Sequence, residues 1–311
     1  MAENQKTLAA RVDIEGIALH SGKRITLRIL PADADHGIVF VRVDLGRTEI
    51  RASHRHLGAS NYSTSLRLGS VVVATVEHLL SALHGLAIDN ARIELDGPEV
   101  PILDGSARPF VDRIREAGIR SLSRPRRFLT LTRPVRVRSG EREILAIPDN
   151  VLQATYAIDF PHPVIGYQMV ATEIDEETYI ESIAPARTFC LLRDVEAMRR
   201  AGLALGGSLD NALVVGDGGV LNGSLRFPDE FARHKVLDLV GDLALLEAPL
   251  RAHVIAFKGG HNLHAALVAQ IMASRSTWAL GTSDDLLPDA RVAEFAHLKD
   301  AFLPQPAAQA R

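Results

Sequence analysis

A chain of 311 residues with 47% hydrophobic and 23% charged side chains has an ordinary globular balance, which excludes a disordered or collagen-like polymer and leaves room for two cores. A net charge of −3 provides no overall attraction to nucleic acid or to an anionic membrane. The single cysteine, Cys190, excludes an internal disulfide framework and a thiolate-rich metal site, so any metal must take His, Asp, Glu or water.

Met1–Ala10 is polar and lacks the apolar core of a signal peptide, which predicts a cytoplasmic location. Lys23–Leu30 alternates, and Gly37–Val43 and Ser70–Thr75 are rich in β-branched residues, so all three are predicted strands. Glu77–Leu86 reads as a helix with Leu79, Leu80 and Leu83 inward. A strand over Asn90–Leu95, a Gly97-Pro98 turn and a helix over Ser106–Ala117 follow. Residues 121–127, short and basic with Pro125, are predicted to be a linker.

Beyond it the pattern restarts. Ser21–Ile29 lies over Ser139–Ile147 with five of nine positions identical, at an offset of 139 − 21 = 118 residues, and Pro31 and Pro148 follow closely. That spacing is about one domain and predicts a duplicated α+β unit, with domains at 1–122 and 127–303. In the second half, Val151–Asp159 and His253–Lys258 are predicted strands. Asp175–Ile183, Cys190–Ala201, Pro228–Glu247 (Asp229 as N-cap) and Asn262–Ser274 are predicted helices. The apolar stretch Val236–Phe257 is interrupted by Asp238, Asp242, Glu247 and Arg251, which argues against a membrane span. The tail 304–311 is predicted to be disordered.

Four segments carry chemistry. His234, Asp238 and Asp242 recur every four residues and form one stripe on a helix that is otherwise strongly apolar. Burying an imidazole and two carboxylates without partners costs several kcal/mol, and a divalent cation chelated by His and Asp at i, i+4 would supply one. An ordinary solvated His–Asp pair has the same spacing, and the flanking Lys235 fits that alternative too. Glu77-His78 lies where a buried-looking strand enters a helix, a common place for a site, although the dipeptide read alone is more often a capping acid beside a core histidine. Lys258-Gly259-Gly260-His261 ends a strand and opens the last helix; His264, one turn on, reads as structural. Arg187-Thr188-Phe189 places a hydroxyl at another junction. Together, two His and one Asp leave a fourth zinc position open, the catalytic arrangement, in which water is acidified to a pKa of about 7. A carboxylate such as Glu77 beside a ligand can take its proton, a second His can protonate a leaving amine, and a hydroxyl can hold an oxyanion. That set describes amide hydrolysis.

In order along the chain, these fragments resemble the zinc amidases that deacetylate UDP-3-O-acyl-N-acetylglucosamine in lipid A biosynthesis. The matching segments are Gly16–Gly22, Thr75–Leu79, Pro101–Ala107, Ala186–Phe189, Gly202–Ser208, the His234-Lys235 helix and Gly260-His261. The resemblance implies an α+β fold of two β-α-α-β domains with the site at their junction. It implies His78, His234 and Asp238 as ligands of one Zn2+, a set that also tolerates Fe2+. Glu77 would be the general base, His261 the general acid, Thr188 the oxyanion donor and Asp242 the partner of His261. Lys235 and Lys258 would meet the diphosphate and Phe160 the uracil. Phe189, Leu19 and the insert 191–221, including Gly207, would line a passage for the acyl chain. Some relatives carry a cysteine near the metal, in the strand before Glu77; Ser63 stands at that place here. The implied partner is the acylated UDP-sugar, with no nucleic acid, no stable membrane insertion and a monomeric chain. Two alternatives stand beside this reading: a non-catalytic α+β nucleotide- or RNA-binding module, against which 5% aromatics argue, and a zinc amidase with another substrate.

Overall fold

The computed structural model describes residues 2–59 and 62–302. Alternation builds the first sheet: in Arg24–Pro31 every second residue, Ile25, Leu27 and Ile29, is buried. The sheet contains Val12–Ile17 (β1), Arg24–Pro31 (β2), Ile38–Arg42 (β3), Thr48–Arg51 (β4) and Ala91–Leu95 (β5), in the order β1-β2-β5-β3-β4. All neighbours are antiparallel except β3 and β5, which run parallel.

The second half repeats this pattern. Val135–Ser139 (β6), Arg142–Pro148 (β7), Leu152–Asp159 (β8), Tyr167–Glu173 (β9) and Leu250–Phe257 (β10) follow the order β6-β7-β10-β8-β9. Again the one parallel pair is the middle strand with the third, β10 with β8. The 118-residue offset carries β2 onto β7, strands at the same place in the two sheets. Two further strands, Phe128–Leu131 and Trp278–Gly281, extend the second sheet.

Four helices position the site: Glu77–Gly85 (α1), Arg108–Ala117 (α2), Glu230–Leu243 (α3) and Asn262's helix, His261–Ala273 (α4). Helix α3 packs on α1, on α4 and on the face of β8 and β9, so every residue in it except Arg233 and Lys235 is buried. A helix enclosed on nearly all sides is largely apolar, and this one departs from that only at the His234–Asp238–Asp242 stripe, at Glu230, which accepts from Arg187, and at the partly exposed Arg233 and Lys235. The crossing of α1 and α3 depends on Gly241, because a Cβ there would sit 2.1 Å from the Glu77 carbonyl oxygen. The insert forms a small sheet of Phe189–Leu191, Leu213–Gly216 and Gly219–Val220 beside the helix Leu192–Arg200.

Three local expectations need correction. The predicted linker is a strand: Ile119–Pro125 pairs antiparallel with Asn4–Leu8. The Asp175–Ile183 helix widens to a π-helix at Tyr179–Ile183. Asp229 flanks α3 without capping it, because its carboxylate accepts from Arg233 Nε at 2.6 Å instead. The tail 304–311 lies outside the described residues. No helix among the described residues is long and apolar enough to cross a membrane.

The Gly241 contact generates a prediction. Gly241→Ala should destabilise the protein by about 1–3 kcal/mol, because the added methyl must push α1 and α3 apart. The urea midpoint should fall, and Glu77 should be displaced with it. An unchanged midpoint would show that the helices can separate without cost.

Candidate metal centre and active site

The local chain path places the groups. Val71–Ala74 ends at Thr75, whose left-handed backbone (φ 56°) turns the chain into α1 and whose hydroxyl donates to Glu99 Oε1 at 2.9 Å. Glu77 and His78 are thus the first two residues of α1, both buried. They face the His234–Asp238–Asp242 stripe of α3, and His261 opens α4 beside them.

His78, His234 and Asp238 each offer a ligand atom within 4.8 Å of the others. Nε2 of His234 lies 3.3 Å from Asp238 Oδ1, and Nε2 of His78 lies 3.8 Å from it. His234 Nδ1 donates to the Ala186 carbonyl at 3.1 Å, so its Nε2 presents a lone pair. Burial pushes the His234 pKa down despite Asp238, and burial together with the facing His234 pushes His78 down to about 3; both rings are neutral. Burial opposes charge on Asp238 as well, but the Lys235 ammonium and the His261 imidazolium beside it hold its pKa well below the usual range. Asp238 Oδ1 and His78 Nδ1 are buried with no hydrogen-bond partner among the described residues. Lone pairs converging on an orphaned carboxylate oxygen repel one another unless a cation lies between them, and a divalent ion fits this donor set.

The second carboxylate of the stripe is treated differently. Asp242 Oδ2 accepts from Nδ1 of His261 (2.9 Å) and from Nδ1 of His264 (2.8 Å), and Oδ1 accepts from the Thr64 hydroxyl (2.5 Å). His264 Nε2 in turn accepts from the Tyr156 hydroxyl at 2.9 Å. A Cβ on Gly259 would come within 2.5 Å of that hydroxyl, so the glycine before His261 makes room for it. This carboxylate is saturated by protein donors and has no need of a metal. Burial disfavours the His261 imidazolium, but the Asp242 and Asp238 carboxylates outweigh it and raise the pKa to about 9. His261 Nε2 points to Glu77 Oε1 at 3.9 Å and to Asp238 Oδ2 at 3.8 Å. Burial raises Glu77 to about 8, with Asp242 and Asp238 adding to the rise and His261 opposing it.

One cavity of about 480 Å³ brings these groups together. Glu77, His78, His234, Lys235, Asp238 and His261 form one end of it, with Thr188, Phe189, Phe160, Leu19 and Gly207 along its walls. Much of the remaining lining comes from the insert, including Leu191, Met198, Leu209 and Leu221. Phe189 packs edge-on against Phe160 at 5.6 Å and Phe231 at 4.9 Å. Lys235 Nζ donates to Asp238 Oδ2 at 2.8 Å. Asp242 stands behind His261, outside the lining. Lys258 also lies outside it, paired with Asp159 at 2.9 Å.

The sequence profile of the family described as LpxC, UDP-3-O-acyl N-acetylglycosamine deacetylase, matches residues 5–273. The chain belongs to this deacetylase family. Among its relatives is a UDP-3-O-acyl-N-acetylglucosamine deacetylase of Anaeromyxobacter dehalogenans, 48% identical over 271 residues, 87% of this chain and 88% of that one. Another, from Acidithiobacillus ferrooxidans, is 46% identical over 278 residues, covering 88% and 91%. A third, from Myxococcus xanthus, is 44% identical over 279 residues and 89% of each chain. The segments through which the chain resembles this family all lie inside the matched span.

Sequence reasoning did not find Thr64 or Tyr156, nor the tie from His264 to Asp242. Their partners lie 178, 108 and 22 residues away, with no local pattern to mark them. The donor set predicts that His78→Ala loses its divalent metal, measured by elemental analysis of the purified protein. Chelation of the wild type should lower its melting temperature, since Asp238 Oδ1 is then left without a partner. Full metal occupancy in His78→Ala would remove His78 from the ligands.

Proposed function

We propose that this chain hydrolyses the N-acetyl group of UDP-3-O-acyl-N-acetylglucosamine, releasing acetate and the free amine, in lipid A biosynthesis. The observation that carries the reading is the neutral His78–His234 pair facing an orphaned, ionised Asp238 oxygen in a largely apolar cavity of about 480 Å³. His78, His234 and Asp238 would hold the divalent ion, with zinc as the proposed metal and iron able to use the same ligands. When bound, it supplies Lewis acidity to the amide carbonyl and to water.

The protein's own groups then divide the proton work. Glu77, ionised, takes a proton from the attacking water through Oε1, which faces the cavity. His261 holds the opposite proton: its Nδ1–H is fixed on Asp242, and Nε2–H delivers a proton to the departing amine. The Thr188 hydroxyl donates to the carbonyl oxygen as negative charge develops there. The Lys235 ammonium, at the cavity wall, meets the diphosphate, and Lys258 reaches it by exchanging Asp159 for a phosphate oxygen. Phe160 offers a face to the uracil. Leu19, Phe189 and the insert around Gly207 enclose the acyl chain. The proposed working unit is a monomer, and the proposed location is the cytoplasm.

The pH dependence follows from these groups. His261 acts while protonated, and its pKa is raised to about 9, so kcat/KM should fall as pH rises through about 9. Asp242→Asn removes the main raising charge and should move this limb to lower pH. His261→Ala should cut kcat by about 10²–10⁴-fold and keep its metal. The acidic limb, where Glu77 takes up a proton, should lie below its metal-free value of about 8, because a nearby dication favours the carboxylate. A full bell with near-normal kcat in His261→Ala would make His261 a bystander.

Chain-length dependence tests the passage. Gly207 lies on the cavity wall, 3.7 Å from Leu19 when given a Cβ. Gly207→Trp should reduce kcat/KM for long-acyl substrates far more than for short ones. An equal loss for both would place the lipid elsewhere.

A further inference from the structure

Thr64 lies just before the hairpin Ser65–Leu68 and Val71–Ala74, and its side chain is 1% exposed. The hairpin fixes its position: Ser65 pairs with Ala74, and the Val76 amide donates to the Thr64 carbonyl at 3.2 Å. From there it reaches two carboxylates. Its amide donates to Glu77 Oε2 at 2.9 Å, and its hydroxyl donates to Asp242 Oδ1 at 2.5 Å. The same hydroxyl oxygen lies 3.1 Å from His261 Nδ1. Among the described residues no other side chain or amide bonds both Glu77 and Asp242.

We propose that Thr64 is a positioning residue for the hydrolysis, holding the proton acceptor Glu77 and the Asp242–His261 donor pair in one frame. This rests on the roles proposed above for Glu77 and His261. A carboxylate rotates about its last bond unless one oxygen is held. The Thr64 amide holds Oε2 of Glu77 and so leaves Oε1 turned toward His261 Nε2 and the cavity. The Thr64 hydroxyl holds Oδ1 of Asp242 and so keeps Oδ2 under the Nδ1–H of His261, which fixes the direction of Nε2. Misplacing either group by a fraction of an ångström misdirects a proton while leaving the substrate's binding groups untouched. The loss should therefore appear in kcat rather than in KM or in metal content.

The test compares Thr64→Val, which removes the hydroxyl and keeps the amide and the shape, with Thr64→Ser, which keeps the hydroxyl. Both are made in the full metal-loaded chain, with kcat, KM, metal content and melting temperature measured. Thr64→Val should lose about 10–100-fold in kcat, the range for one charge-assisted hydrogen bond, with KM and metal content near wild type. Thr64→Ser should restore most of that loss. Should Thr64→Val fail to fold, Thr64→Ala set against Thr64→Ser gives the same comparison. A wild-type kcat in Thr64→Val, a loss that serine does not restore, or metal lost in step with activity would each overturn the proposal. Glu77→Gln separates the two levels: if it stays fully active, the reading of the base is wrong. If it is inactive while Thr64→Val is not, only the role of Thr64 falls.

Discussion

Helix α3 carries two carboxylates and an imidazole on one stripe and is buried on nearly every side, and the rest of the site exists to answer that burial. An ionised carboxylate removed from water is destabilising unless it is paired or fully hydrogen-bonded. Asp242 is answered entirely by protein donors from two separate segments, Thr64 before its hairpin and His261 and His264 on α4. Asp238 has the Lys235 ammonium on one oxygen and, among the described residues, no hydrogen-bond partner on the other. Four residues separate two acids of the same type, and the folded chain leaves only one of them open to a metal ion.

That arrangement requires very close packing between segments far apart in sequence. Gly241 lets α3 reach the backbone of Glu77, so the first turn of α1 and the stripe of α3 share one small volume. The repeated sheet order explains why such a meeting is available. Each half places helices against its sheet, and α3 from the second half has α1 from the first as its outer neighbour. A buried surface formed between two similar halves gives each side chain partners from both, which a single sheet with its own helices does not offer.

The legible parts of this structure are those whose signal is local. The stripe on α3 is visible because helical periodicity alone aligns His234, Asp238 and Asp242. Glu77-His78 is visible because a β-branched run stops where a leucine-rich helix begins. Strands β2, β3, β5, β8 and β10, and the strand-on-strand offset of 118 residues, follow from alternation, β-branched runs and repetition, whereas β1, β4, β6 and β9 are not marked in this way. The failures come from competing contacts that the local pattern does not mark. Ile119–Pro125 looks like a linker because its exposed, basic residues carry no alternation; only pairing with Asn4–Leu8, over a hundred residues earlier, makes it a strand. Asp229 has the composition of a cap, yet Arg233 one turn later competes for its carboxylate. Thr64 is an unremarked threonine in sequence because both of its acidic partners are brought to it by tertiary contacts.

The direction of a few hydrogen bonds separates the site that can hold a cation from the site that holds a proton. His234 gives its Nδ1 proton to the Ala186 carbonyl, so the nitrogen that faces Asp238 is a lone pair. His261 gives its Nδ1 proton to Asp242, so the nitrogen that faces the acid there is a donor, and its outer nitrogen is free to carry the exchangeable proton. Swapping the His234 tautomer would put a donor toward Asp238 and satisfy the oxygen that a metal needs, and a His261 without its Nδ1 proton would leave Asp242 short of a partner. The backbone carbonyl of Ala186 and the carboxylate of Asp242 therefore do comparable work at different points. Each fixes a neutral or charged imidazole by the bond on its far side, and the chemistry on the near side follows from it.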